Sequence, residues 1–194
     1  MKPAFRFCLV VVIVVGVSLA WSAPRSDSEA TASAQRKIDH IKTNGALAHP
    51  DSAPTEFTEQ EINAYIASGK IQLPDGVQSV HLVGIDGTVD GTARVDFDKI
   101  QAGRKSSNPL LSIFSGVHDV EVQAHASGSG GAGIIHVDSV MLDGAEIPHF
   151  LLELFVDKYL KPKYPDVGLD TRIALPDKID TATIGKHILT VVQK

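Results

Sequence analysis

The stretch VQSVHLVGIDGTVDGTARVDF, from Val77 to Phe97, constrains the fold more than any other part of the chain. It alternates apolar and polar residues on both sides of Asp86-Gly87, and Asp-Gly between alternating runs is a strong signal for a two-residue hairpin turn. Pairing the strands across that turn sorts the side chains onto two faces. Val80 and Leu82 fall with Val89, Ala93, Val95 and Phe97, while Ser79, His81, Asp90, Arg94 and Asp96 fall opposite. Val83 and Ile85, near the turn, are apolar exceptions on the polar face. A slip of one residue would invert both faces, so turn and pattern together select one register. An antiparallel sheet with one buried face is the frame into which the rest must fit.

Two further hairpins are legible. VHDVEVQAHA and IIHVDSVML flank SGSGGAG. Val120, Val122, Ala124 and Ala126 share a face with Ile135, Val137 and Met141, and Glu121, Gln123, His125, His136 and Asp138 share the other. SGSGGAG reads as a flexible hairpin loop. It lies between strands and lacks the Lys-Ser/Thr that completes a phosphate cradle. KIDTATI and HILTVVQ form the last hairpin, turning at Gly185-Lys186. The first and last hairpins are entered by the same phrase, IQLPDGV from Ile71 and IALPDKI from Ile173. Leu can plug the core, Pro permits an extended entry without restarting a helix, and Asp forms turns. The phrase reads as a launching device for strands. Internal duplication and chance recurrence both account for its repetition.

Helices fill the gaps. In FTEQEINAYIASG, Thr58 and Glu61 have capping-box spacing, Phe57 and Ile62 occupy the staple positions, and Gly69 suits the residue after the helix. Asn108-Pro109 opens a short helix through Phe114, closing at Gly116. IPHFLLELFVDKYL is apolar around most of its girth, with His149, Glu153 and Asp157 as a polar stripe and Lys158 beside it. Such a helix is buried or faces something apolar.

The chain opens with MKPAFRFCLVVVIVVGVSLAWSAP, in which Lys2 and Arg6 precede a 14-residue apolar run, Phe7–Ala20. That length fits a secretory h-region and is short for a membrane span. Ser18 and Ala20 suit cleavage after Ala20. If the segment stays, it is an anchor that leaves the domain outside the membrane. Three regions follow: residues 1–23 as signal peptide or anchor, 24–55 as polar helical tether and linker, and 56–194 as one α+β domain. The expected localisation is therefore periplasmic or secreted, or anchored in the inner membrane with the domain outside the cytoplasm. Cys8 is the only cysteine, so the domain must rest on packing alone. The net charge is −5 and no basic block stands out, which argues against nucleic-acid binding.

Enzyme signatures are missing. There is no HExxH, no zinc-finger spacing, no GxSxG and no cofactor fingerprint. One metal-ligating set merits weighing: His125 and His136 opposite each other on the polar face, with Asp138 next along. Two imidazoles and a carboxylate suit a divalent metal, but a solvated sheet face with polar neighbours is the stronger reading. The positive feature is the surplus of apolar residues. Phe150, Leu151, Leu154, Phe155 and Tyr159 are candidates to line an apolar ligand site, in a groove for an acyl chain, and a fully packed core satisfies the same pattern.

The order of these elements, FTEQEINAYI, an LP-led strand, paired strands, GAEIPHFLLELF and a final LP-led hairpin, resembles small bacterial envelope proteins of the tubular lipid-binding (TULIP-like) kind, including the LmeA- and YpmS-like families. The resemblance spans roughly residues 56–193 and implies a strongly curved antiparallel sheet wrapped on a helix that can hold lipid. The expected fold is a curved antiparallel sheet of about six strands, in three hairpins, packed on two or three helices. The expected function is non-catalytic binding of a lipid or other apolar ligand in the envelope. A membrane-tethered interaction module with a packed core is the alternative, and a metal-dependent enzyme comes third.

Overall fold

The computed structural model describes residues 24–101 and 108–194, with side chains from residue 27. The expected signal or anchor segment, residues 1–23, lies outside the described residues. No described helix is long and apolar enough to cross a membrane. In chain order the helices are α1 (Pro24–Gly45), α2 (Glu59–Ala67), α3 (Phe97–Ile100) and α4 (His149–Phe155). A 3-10 helix spans Pro109–Ile113, and a π-helical turn, Val156–Leu160, continues α4. The strands are β1 (Thr55–Thr58), β2 (Val77–Ile85), β3 (Thr88–Asp96), β4 (Val117–Ser129) and β5 (Ala132–Leu142), then β6 (Ala145–Glu146), β7 (Asp170–Ala174), β8 (Ile179–Gly185) and β9 (Ile188–Gln193).

The chain is α+β with one antiparallel sheet of nine strands. The three expected hairpins are present, and β1, β6 and β7 are the additions. Asp86 and Gly87 have φ of 32° and 86°, and Ile85 pairs with Thr88, so the first hairpin turns in two left-handed residues. The last hairpin turns one residue later than expected, at Lys186-His187, with Gly185 paired to Ile188. SGSGGAG is no flexible loop. Both strands run into it, Ser129 pairs with Ala132, and Gly130-Gly131 make a tight turn at φ 58° and 74°.

The glycines flanking that turn have another purpose. A Cβ at Gly128 would lie 2.9 Å from the Ala182 backbone nitrogen, and one at Gly133 would lie 2.9 Å from Ile173 Cγ1. Gly128 is where β8 joins β4, through its pairing with Ala182. One edge of β4 therefore serves two partners, β3 along Val117–His125 and β8 beyond. The other edge carries β5. Along the far edge of β5, β7 pairs with Ala132–His136 and β6 with Met141–Leu142, so the two leave a gap between them.

A β-bulge sits at that gap. Gln123 pairs with Ser139 and Ala124 with Val137, so Asp138 is the extra residue. The bulge inverts the alternation beyond it. Val140 and Leu142 are buried, and Met141, expected on the buried face, is not.

In both Leu-Pro-Asp phrases the proline carbonyl closes a four-residue turn. Val77 N–H donates to the Pro74 carbonyl, and Ile179 N–H to the Pro176 carbonyl, each at 3.0 Å. Gly76 takes φ 90° in the first, and Asp177 and Lys178 take 52° and 55° in the second, so the turn types differ.

Helices cover the apolar face. α2 begins with the expected capping box: the Glu61 N–H donates to Thr58 Oγ1 at 3.2 Å, and the Thr58 N–H to Glu61 Oε2 at 2.8 Å. α1, where the sequence reads as a weakly amphipathic helix or a tether with Ala34, Ile38 and Ile41 at helical spacing, is a helix docked by that stripe. Ala34 and Ile41 are buried, Thr31 Oγ1 donates to the Ala64 carbonyl, and Gln193 joins β9 to the Ile41 carbonyl and to Asn44. Its weak apolar stripe suffices because Phe57 and Val191 complete the contact. The largest core cluster lies between β3–β5 and α4, where Phe97, Phe114, Phe155 and Tyr159 stack with neighbouring centroids 4.5–5.5 Å apart.

Candidate functional site

The residues singled out in the greasy helix divide by face. Leu151, Phe155 and Tyr159 point into the sheet and are 9%, 6% and 5% exposed. Phe155 packs on Phe114 of the 3-10 segment and Phe97 after β3, so these side chains fill the core. Phe150 and Leu154, one turn apart, point the other way and are 54% and 38% exposed. The adjoining 3-10 helix divides likewise. Leu111 is buried, while Leu110 and Ile113 are 49% and 37% exposed. A helix start was legible at Asn108-Pro109, where the Asn108 carboxamide accepts from the Leu110 N–H at 3.0 Å. Which residues it would leave outside was not legible, because that depends on how it packs against α4.

The second candidate group lies on the opposite, solvent face of the sheet. Register places Thr88, His125, His136 and Asp170 in one row across β3, β4, β5 and β7. His125 and His136 stand directly across from each other, as expected. Asp138, turned by its bulge, meets both: its Oδ2 lies 2.7 Å from His125 Nδ1 and its Oδ1 3.9 Å from His136 Nε2. His136 Nδ1 is held by Asp170 Oδ1 at 2.5 Å. That hydrogen bond, with the Asp170 charge, raises the His136 imidazole above its ordinary pKa. Asp170 had no sequence signal. It follows PDVGL and belongs to a five-residue strand whose partner lies over thirty residues away. The side chains hydrogen-bond to one another, and among the described residues no group of three or more His, Cys, Asp or Glu could hold a metal ion.

Two more imidazole–carboxylate pairs tie elements together. His118 Nδ1 meets Asp143 at the β5–β6 turn at 2.6 Å, and this hydrogen bond pushes His118 up and Asp143 down. His187 Nδ1 meets Glu59 at the start of α2 at 2.7 Å.

An open cleft of about 380 Å³ lies at the gap between β6 and β7, lined by Asp138, Ser139, Glu146, Ile147, Pro148, His149 and Leu152. Its walls mix carboxylates, an imidazole and aliphatic carbon. No nucleophile in it is hydrogen-bonded to a base among the contacts described. The polar stripe along α4 and its π-helical continuation is exposed, and at its end Asp157 pairs with Lys161 Nζ at 2.5 Å. No protein-family model, curated protein or solved structure matches the chain.

Proposed function

We propose that the protein is a non-catalytic, exported envelope protein that binds a lipid or other apolar ligand on the outer side of α4 and the neighbouring 3-10 helix. One observation carries this reading. Phe150, Leu154, Leu110 and Ile113 all stand exposed on two short helices packed against each other, while Leu111, Leu151, Leu152 and Phe155 of the same helices are buried in the core. Scattered single apolar residues need no explanation, but large ones gathered on adjacent elements mark contact with another apolar body. The charged segment start and apolar run in residues 1–23 support export, and the order of elements supports a place among tubular lipid-binding proteins with a curved sheet. Because Leu151, Phe155 and Tyr159 close the core, the ligand lies against the helix rather than beneath it.

The tightly stacked Phe97–Phe114–Phe155–Tyr159 cluster also favours a second reading, an interaction module whose apolar patch meets a protein. Native mass spectrometry of the full chain, purified gently from a bacterial envelope fraction, with organic extraction of the same sample, separates the two. A discrete adduct that extracts as lipid, and is absent from the Leu154→Glu variant, is the expected result. A clean protein mass with a stoichiometric polypeptide partner would replace the lipid reading by the second.

A further inference from the structure

His118, at the start of β4, is held at both ring nitrogens by groups that can only accept. Its Nδ1 lies 2.6 Å from Asp143 Oδ2, and its Nε2 lies 2.7 Å from the Ser115 carbonyl. A neutral imidazole has one N–H and satisfies one of these acceptors, whereas the doubly protonated ring satisfies both. The geometry points to His118 as a protonation-controlled clamp: its imidazolium fastens the exit of the 3-10 helix, the segment that carries Leu110 and Ile113, to β4 and to the β5–β6 turn, and loss of its proton releases that exit. As regulation of the apolar contact this rests on the function proposed above, while the clamp itself does not.

Phe114, Ser115 and Gly116 connect the 3-10 helix to β4, and each of their carbonyls has its own donor. The Gln101 side-chain amide serves Phe114, the His118 ring serves Ser115, and the Phe97 N–H, at 2.8 Å, serves Gly116. Of these donors only the ring changes protonation near neutral pH. On the other side, Asp143 is fixed by the backbone: its N–H donates to the Asp119 carbonyl at 2.8 Å, and its Oδ1 accepts from the Asp119 N–H at 2.9 Å. The carboxylate is thus in place whether or not the ring is charged. The His118 side chain is 23% exposed, and its ring lies 5.9 Å from that of Phe97 at the rim of the main core. Asp143 faces it from the β5–β6 turn. Arg94 of β3 opposes it by charge but is itself paired with Asp119 at 2.8 Å, and Asp96, at the end of β3, is paired with Lys99 at 3.2 Å. The Asp143 hydrogen bond outweighs burial and, with the Ser115 carbonyl and the Asp143 charge, raises the imidazole above its ordinary value of 6.5. A group raised on folding stabilises the native state fully below its unfolded value, and that contribution is lost as pH rises through the folded one. The clamp is therefore closed below 6.5 and opens as pH climbs through the raised value.

The test is hydrogen exchange of the full chain between about pH 5.5 and 8.5, read by mass spectrometry and corrected for the intrinsic pH dependence of exchange, with the His118 ring titrated in parallel by NMR. The expected result is that His118 titrates above 6.5 and that protection of residues 111–116 falls roughly 10-fold across its titration, the size of one charge-assisted hydrogen bond. Asp143→Asn keeps a residue that tolerates the left-handed turn and removes the charge, so it should move the ring titration and the protection step together to lower pH. His118→Gln, with its fold checked by circular dichroism, should abolish the step, and His136→Asn, which alters a separate imidazole–carboxylate pair, should leave it in place. A ring that only fills space would lower protection evenly at every pH when replaced. Protection that is flat with pH in wild type, a His118 titration at or below 6.5, or a step that survives His118→Gln overturns the clamp. Flotation with phospholipid vesicles at the two ends of the range reads the link to the apolar contact. Weaker flotation where the clamp is open is expected. Equal flotation despite the step overturns the link, and no flotation at either end overturns the apolar contact while the exchange data still decide the clamp.

Discussion

Glu61 shows how much one side chain can integrate. It closes the α2 capping box with Thr58, and both its carboxylate oxygens meet Lys37 Nζ of α1 at 2.6 Å. Burial raises its carboxyl, but the hydrogen bonds from Lys37, Ser33 and the Thr58 backbone outweigh that and lower it from 4.5 to about 2. A carboxylate depressed on folding stabilises the native state above its unfolded pKa, and that contribution is lost as pH falls through the folded value. The stabilisation is therefore complete near neutral pH and drains away between 4.5 and 2. Glu61→Gln keeps the shape and removes the charge. It should cost about 1–3 kcal/mol in urea unfolding near neutral pH, with the gap to wild type closing as pH drops through that window. The capping box was legible because its two members are three residues apart. Lys37 was not, because a pair between two helices has no local spacing.

At the scale of the element, glycine carries two meanings that a sequence alone does not separate. SGSGGAG reads as a flexible loop because glycine is entropically loose, whereas Gly128 and Gly133 serve close approach of β8 and β7. Gly128→Ala should destabilise the chain by about 1–3 kcal/mol, the usual cost of overpacking, as read from the thermal midpoint. A similar replacement at Gly69, which has φ 72° and open space, meets only the left-handed backbone penalty of about 1 kcal/mol. Local signals, such as Asp86-Gly87, Thr58…Glu61 and Asn108-Pro109, located the expected hairpins and helix starts. What they missed was non-local. β1 reads as the lead-in to α2, β7 as the end of a loop, and the bulge at Asp138 shows only once β4 and β5 are paired. The apolar helix was legible as such. Its division into Leu151, Phe155 and Tyr159 inside, with Phe150 and Leu154 outside, was not, because a helix apolar on nearly all sides does not announce which side meets the sheet.

For the whole molecule, the sheet keeps two surfaces apart. Its apolar face is covered by α1, α2 and α4, each over a different set of strands, and the last of these presents large apolar side chains outward again. Its polar face carries the imidazole–carboxylate row. α1 begins at Pro24 and is docked on the domain, with Ala34 and Ile41 buried. The proposed apolar contact falls on the outward side of α4, at Phe150 and Leu154. The most direct test is flotation of the full chain with phospholipid vesicles, comparing wild type with a Phe150→Glu/Leu154→Glu double variant whose fold is confirmed by circular dichroism. The account predicts that wild type rises with the vesicles and that the double variant binds at least about 10-fold less, since two buried apolar side chains contribute about 3 kcal/mol or more. Equal flotation of the two proteins, or wild type that stays below the vesicles, would contradict it.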